Sequence, residues 1–373
     1  MRKTMFSILI TASLISLSCA TLITKKPKDP ELWRAFRYDS QNTGLSMNFI
    51  SPPLELKMIW EFGSTIRSTP VVENDRLYVG MWDRAIYCID LISEQIIWKT
   101  PTLGFITGSG TLVKDRLIIG SCDSIMYALA KDDGRILWSF KTKEMIISSP
   151  QIYKDLVVFG SSDNNFYAVK WKNGKRKWQT ELNGVINSTA AIVDDRLVVG
   201  TGQGGLVCLN AENGDIIWEF LDAAAVVASP VVRDSVIYCG SINHYFYALN
   251  FQTGDMLWRS NCLDRIDASA AVADSAVYWT DLSGNFYAAR RHDGKPLWQF
   301  PMQHKTVSSP IISGEYIYAA ADRLYALERA TGKVIWEYDV RSGNYSSPIL
   351  YKNQLIIGSS SGNLYAFKEA EKQ

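Results

Sequence analysis

Tryptophan recurs as Trp60, Trp98, Trp138, Trp178, Trp218, Trp258, Trp298 and Trp336, at spacings of 38, 40, 40, 40, 40, 40 and 38 residues. A fixed period of this length marks a repeat architecture, in which each unit buries its apolar faces only against its neighbours. A second landmark keeps the same phase. It reads Ser68-Thr69-Pro70, Ser148-Ser149-Pro150, Ser188-Thr189-Ala190, Ala228-Ser229-Pro230, Ala268-Ser269-Ala270, Ser308-Ser309-Pro310 and Ser346-Ser347-Pro348, with Gly108-Ser109-Gly110 in the remaining slot. A third is Tyr87, Tyr127, Tyr167, Val207, Tyr247, Tyr287, Tyr325 and Tyr365.

Counted from its Trp, each unit holds four short β signals. In one of them these are Leu297–Phe300, Ser309–Ile312, Tyr316–Ala319 and Leu324–Leu327, separated by turns such as Ser313-Gly314 and Thr331-Gly332. Four strands per unit, eight times over, predict an all-β chain: an eight-bladed β-propeller of four-stranded antiparallel blades across residues 50–373. Helical periodicity is absent after residue 50. A glycine holds the turn before most of the Trp residues, at Gly134, Gly174, Gly214, Gly254, Gly294 and Gly332, where a tight turn needs positive φ; Glu94 is the exception. With 12 % aromatic residues the chain can bury a large core, which excludes general disorder. Thirty-nine Lys and Arg against 38 Asp and Glu exclude a general nucleic-acid binder.

The first residues read as an address. Arg2 and Lys3 precede a mostly apolar run, Met5–Leu17, which is too short to span a bilayer comfortably, and Ser18-Cys19-Ala20 supplies small residues at a cleavage point. Residues 1–18 are expected to be a signal peptide. The segment resembles a bacterial lipoprotein signal, which implies lipidation of Cys19. Residues 19–49 are then a lipidated tether and lead-in, and the membrane is reached through this anchor. Ala20 rather than Asp after the Cys points to the outer membrane by the sorting rule of some bacteria.

The turns Ala248-x-Asn250-x-x-Thr253-Gly254-x-x-x-Trp258 and Ala326-x-Glu328-x-x-Thr331-Gly332-x-x-x-Trp336 resemble the tryptophan-docking motif of the pyrroloquinoline-quinone-like (PQQ-like) β-propellers, over about residues 54–367. The lead-in from Trp33 to Thr43-Gly44 resembles the segment that opens many of them. The family implies eight blades around a channel, with Leu364–Phe367 pairing Met58–Phe62 to close the ring. The eight Trp are expected to be structural docking residues. The family also includes quinoprotein dehydrogenases, which use an adjacent Cys-Cys pair, a Ca²⁺ site and an Asp base. No adjacent Cys pair, no C-x-x-C and only His244, His292 and His304, in different phases, occur here. The expectation is a chain that is not an enzyme, with no cofactor and no metal. Anchor and propeller together resemble the BamB-type lipoproteins of outer-membrane barrel assembly. That resemblance implies a monomeric, protein-binding scaffold facing the periplasm, with an envelope partner. The alternatives are a PQQ-dependent quinoprotein-like oxidoreductase and a surface lipoprotein that binds a sugar or small ligand.

Slots that vary between units are free for function. The residue before each Ser-Ser-Pro landmark reads Arg67, Thr107, Ile147, Asn187, Val227, Asp267, Val307 and Tyr345, whereas its upstream neighbour is mostly Ile. This slot is expected to ring one mouth of the channel, and Arg67, Asn187, Asp267 and Tyr345 are candidate partner-binding residues. Trp82 and Trp279, outside the Trp repeat, are further candidates. Cys88 and Cys208 stand where other units have Ala and read as small buried hydrophobes. Asp83, Asp123, Asp163 and Asn243 share one phase and read as hairpin-turn residues rather than a cation ring.

Overall fold

The computed structural model describes residues 32–340, 343 and 346–371. Eight four-stranded antiparallel sheets follow one another around a ring. Blade 1 consists of Val71–Glu73, Arg76–Met81, Ala85–Asp90 and Ile96–Pro101, ordered from the channel outward. Blades 2 to 7 repeat it, with inner strands Thr111–Val113, Gln151–Tyr153, Ala191–Val193, Val231–Arg233, Ala271–Val272 and Ile311–Ser313. The Ser-Ser-Pro landmark therefore leads into the innermost strand, and the Trp strand is outermost, so a unit counted from its Trp straddles two blades. Blade 8 takes three strands from the end of the chain, Ile349–Tyr351, Gln354–Gly358 and Asn363–Glu369, and its outer strand, Leu54–Glu61, from the beginning. Met58 lies opposite Ala366 and Trp60 opposite Leu364. This is the expected closure, and it leaves the ring without a free blade edge at its seam.

The second and third strands of each blade are buried on both faces, because neighbouring blades cover them; the outer strands alternate between partly buried and exposed. Trp98, Trp138, Trp178, Trp218, Trp258, Trp298 and Trp336 pair with Cys88, Ala128, Ala168, Cys208, Ala248, Ala288 and Ala326. The small partner leaves room for the indole, and a bulge follows it in each blade. Each indole reaches the next blade. Trp98 Nε1 donates to Lys131 O at 2.9 Å, Trp138 to Trp171 O at 2.9 Å and Trp258 to Arg291 O at 3.0 Å. The ring plane lies on the turn glycine: a Cβ on Gly134 would stand 2.6 Å from Trp98 and one on Gly332 2.5 Å from Trp298. Trp60 meets the exception, Glu94, whose φ is 62°. Trp336 faces the seam blade and meets Phe367 edge-on at 5.5 Å. The uniform Ile seen in the sequence packs into the opposite contact. Ile106, Ile146 and Ile266 press on Gly80, Gly120 and Gly240 of the preceding blade, where a Cβ would meet them at 2.0–2.4 Å.

The lead-in threads the channel as a plug. Trp33 exchanges backbone hydrogen bonds with Val72, and Arg34 O accepts from Leu112 N. Ser40, Gln41, Thr43 and Gly44 carbonyls then accept from Ile192, Val232, Val272 and Ile312. Asn42, fully buried, donates to Thr189, Ala190 and Pro230 carbonyls and accepts from Gln151. Asn48 reaches Leu350 in blade 8. These bonds touch the inner strands of all eight blades. Arg37, 1 % exposed, donates to the Pro310 and Ala270 carbonyls. Burial lowers its pKa, with Asp39 opposing, and the Asp39 carboxyl is itself raised by burial. Gly44 is required here, because a Cβ would fall 2.0 Å from the Arg37 guanidinium.

Candidate functional site

In each blade the inner strand runs away from the variable slot, so the slot residues gather at one end of the channel. Arg67, Thr107, Ile147, Asn187, Val227, Asp267 and Val307 line a single cup-shaped cavity of about 270 Å³. Its floor is Phe36 of the plug. Phe36 and the plug thus cover the cup from below among the described residues.

Below the slot residues runs a girdle that sequence reading missed. Ser109 N donates to Ser149 Oγ, Ser149 N to Thr189 Oγ1, Thr189 N to Ser229 Oγ, and Ser229 N to Ser269 Oγ, at 2.9–3.1 Å. Ser269 N continues to Ser309 Oγ, Ser309 N to Ser347 Oγ and Ser347 N to Thr69 Oγ1, at 2.9–3.2 Å. Each of these seven backbone amides is satisfied by the hydroxyl of the next blade. The signal was the middle residue of the Ser-Ser-Pro landmark, which is Ser or Thr in every unit. The hydroxyl ring fixes the wall beneath the variable side chains.

The rim is polar on one side and aromatic on the other. The Arg67 guanidinium lies 4.3 Å over the Trp82 ring, Trp82 stacks on Phe105 at 5.3 Å, and Arg84 covers Phe105 at 5.5 Å. Asn187 Oδ1 accepts from Ser162 Oγ at 3.2 Å. Asp267 pairs with Arg265 at 3.0 Å through Oδ2, while its Oδ1 is buried with no hydrogen-bond partner among the described residues. Burial raises the Asp267 pKa against the pull of Arg265. Around the mouth, Leu103, Phe105, Met145, Val185 and Ile242 are exposed on successive loops. These loops are fixed by bonds such as Cys122 N to Phe105 O and Ser162 N to Met145 O, both 2.9 Å.

Two candidates do not belong to this rim. Trp279 is 2 % exposed, stacked on Phe246 at 4.1 Å and on Tyr287 at 5.4 Å, and bonded to Cys262 Sγ. It fills blade core, because its strand is covered on both faces. Tyr345 and Cys19 lie outside the described residues. The five described cysteines are free thiols, Cys122 and Cys262 included. The phased acids tie hairpins. Asp123 and Asp163 accept from the amides of Ile125 and Asn165 and from the hydroxyls of Tyr127 and Tyr167. Asp163 also holds the Lys143 amide of the adjoining loop.

A family model described as "Outer membrane protein assembly factor BamB" matches residues 25–192, 183–261 and 247–371. The chain belongs to this family. No curated protein sequence matches it. Among solved structures, BamB from Moraxella catarrhalis is 17 % identical, with a TM-score of 0.74 over 84 % of this chain and 99 % of that one. The quinohemoprotein alcohol dehydrogenase of Comamonas testosteroni is 14 % identical, with a TM-score of 0.81 over 92 % of this chain and 81 % of that one. A europium-containing methanol dehydrogenase is 14 % identical, with a TM-score of 0.81 over 91 % and 98 %.

These neighbours overturn the expectation that the chain is not an enzyme. Dehydrogenases share its fold as fully as the assembly factor does, so a purely non-catalytic role does not follow from the propeller. The fold is compatible with a scaffold and with a quinoprotein-like enzyme. For a quinoprotein the resemblance implies a metal-assisted quinone site. Among the described residues the cup holds one carboxylate, Asp267, and one guanidinium, Arg67. Among the described residues no three His, Cys, Asp or Glu side chains converge. That donor set does not fit a quinone held beside a Ca²⁺ ion.

Proposed function

We propose that this member of the BamB family is a lipid-anchored propeller of the cell envelope, tethered through Cys19. It binds an envelope protein at the channel mouth, in the service of outer-membrane protein assembly. The observation that carries this reading is the combination of a polar cup with an exposed apolar shoulder on one rigid face. A partner loop can place a polar or cationic tip against Asp267 and Asn187 while its flanks cover Phe105, Met145 and Val185. Family membership supports the assembly setting. The test is photo-crosslinking from position 185, followed by recovery from detergent-solubilised envelopes. The expected product is an outer-membrane barrel-assembly protein, lost in the triple variant Arg67→Ala, Asn187→Ala, Asp267→Ala. An unchanged crosslink in that variant rejects the mouth as the binding face.

A second reading follows from the dehydrogenase neighbours and the unsatisfied Asp267 oxygen: a small polar ligand seated in the cup. Calorimetric titration with neutral sugars, beside pyrroloquinoline quinone with Ca²⁺ as the probe that this donor set predicts will not bind, tests this reading. Saturable binding abolished by Asp267→Ala favours the ligand.

A further inference from the structure

Each inner strand runs away from the mouth, so the hairpin after it and the turn before the Trp strand emerge on the opposite face. The lead-in enters on that face. Trp33 and Arg34 pass over the inner strands of blades 1 and 2, and Arg34 pairs with Glu73 at 2.5 Å. Twelve residues separate Cys19 from Leu32. They can span about 40 Å at most. A lipid on Cys19 would therefore hold this face, at blades 1 and 2, close to the bilayer.

Beside that point the surface is basic. The turn of blade 3 carries Lys170, Lys172, Lys175 and Lys177, all exposed, and Lys114 and Arg116 of blade 2 lie against it. Lys114 Nζ stands 5.4 Å and the Arg116 guanidinium 5.6 Å from the ring of Trp171, which is half-buried in the centre of the group. Arg116 also donates to the Trp171 and Lys172 carbonyls, which locks the two blades' cations into one patch. The next blade on the same face turns acidic, with Asp194, Asp195 and Glu212 exposed, and Lys154 is already paired to the last two at 3.2 and 2.6 Å. Blades 2 and 3 carry acids on this face too, but Asp115, Asp132 and Asp133 are paired with Arg116, Arg76 and Arg135 at 3.3, 2.8 and 3.2 Å, and Asp155 is the one exposed acid in the blade 3 hairpin, so the positive excess lies in the lysines of the blade 3 turn.

We infer that blades 2 and 3 form a docking surface for an anionic lipid headgroup layer, on which the propeller stands tilted with its mouth turned away from the membrane. Clustered lysines near a tether are drawn to anionic lipid, each strengthening binding about fivefold. An aromatic ring among them suits the headgroup zone. The acidic flank is repelled, which sets the tilt. The inference rests on the anchor in the reading above, but its test does not.

The test uses the chain from Ala20 onward, which has no anchor and keeps every residue of the closed ring. It is mixed with sedimenting vesicles of phosphatidylethanolamine and phosphatidylglycerol, or of phosphatidylcholine alone. The expected result is salt-sensitive binding to the phosphatidylglycerol vesicles only. The variant Lys170→Glu, Lys172→Glu, Lys175→Glu is expected to bind at least about a hundredfold more weakly, the loss of three cations alone supplying that factor. A control with the same change of net charge, Lys57→Glu, Lys143→Glu, Lys305→Glu, should stay within about threefold of the parent, because distant charges are screened. No binding, equal binding to phosphatidylcholine, or equal loss in the control overturns the inference. Each of these outcomes leaves binding at the mouth untouched.

Discussion

One glycine and one glutamate measure what the repeat demands. Gly134 sits at φ 71° under the Trp98 ring, with no space for a Cβ. Gly134→Ala is expected to cost about 1–3 kcal/mol, from left-handed strain plus displacement of the indole. Glu94 occupies the equivalent slot at φ 62°, and Glu94→Gly is expected to gain about 0.5–1 kcal/mol. Chemical denaturation of the two variants checks both signs, and a stabilising Gly134→Ala would reject the docking account. Such positions were legible because seven copies of the turn expose the same need. Trp279 was misread for the converse reason. It stands outside the Trp repeat, and its identity alone does not say that neighbouring blades cover its strand.

The hairpins and the plug divide the stabilising work at the scale of elements. Burial opposes ionisation of Asp163, but bonds from the Tyr167 hydroxyl and the Lys143 and Asn165 amides outweigh it, and its pKa is lowered. A depressed carboxylate adds stability that is full above its unfolded value, near 4, and disappears as pH falls through the folded one. Asp163→Asn should therefore lower stability at pH 7 and flatten the loss between about pH 5 and 2, as read by thermal melts across that range; an unaltered acid limb would count against the assignment. The plug was less legible than the blades. Its opening residues resemble a known lead-in, yet Asn42 and Arg37 make contacts that occur once, with carbonyls more than a hundred residues away. No periodicity announces them. The Ser and Thr girdle lay between these cases: its residues were visible, but each partner sits one unit further on.

For the whole molecule, the seam in blade 8 joins the two ends of the chain. Ile59 lies opposite Tyr365 there, as Ser139 lies opposite Tyr127 in blade 2. Proline at either place disturbs an outer strand at a similar local cost, about 1–3 kcal/mol. Only Ile59→Pro also releases the ring, so it is expected to lower the melting temperature further than Ser139→Pro and to broaden the transition; equal melting temperatures would mean that the seam adds nothing beyond its own hydrogen bonds. Architecture and closure could be read from periodicity, because a repeat that must bury both faces of every sheet has few solutions. The functional face could be read only as far as its variable slot. Which neighbours complete that face depends on chain reversals that the repeat does not encode.

The plug precedes the seam strand in the chain, and this decides how the propeller would bear load under the anchor proposed above. Tension applied through Cys19 would enter at the Trp33–Val72 pair and reach Leu54–Glu61 only after the lead-in's bonds had given way one after another. The inner strands of eight blades share the strain before the clasp feels any of it. A protein pulled from its N-terminus in this way resists like a rope wound around a capstan, and its ring stays shut while the line is taut.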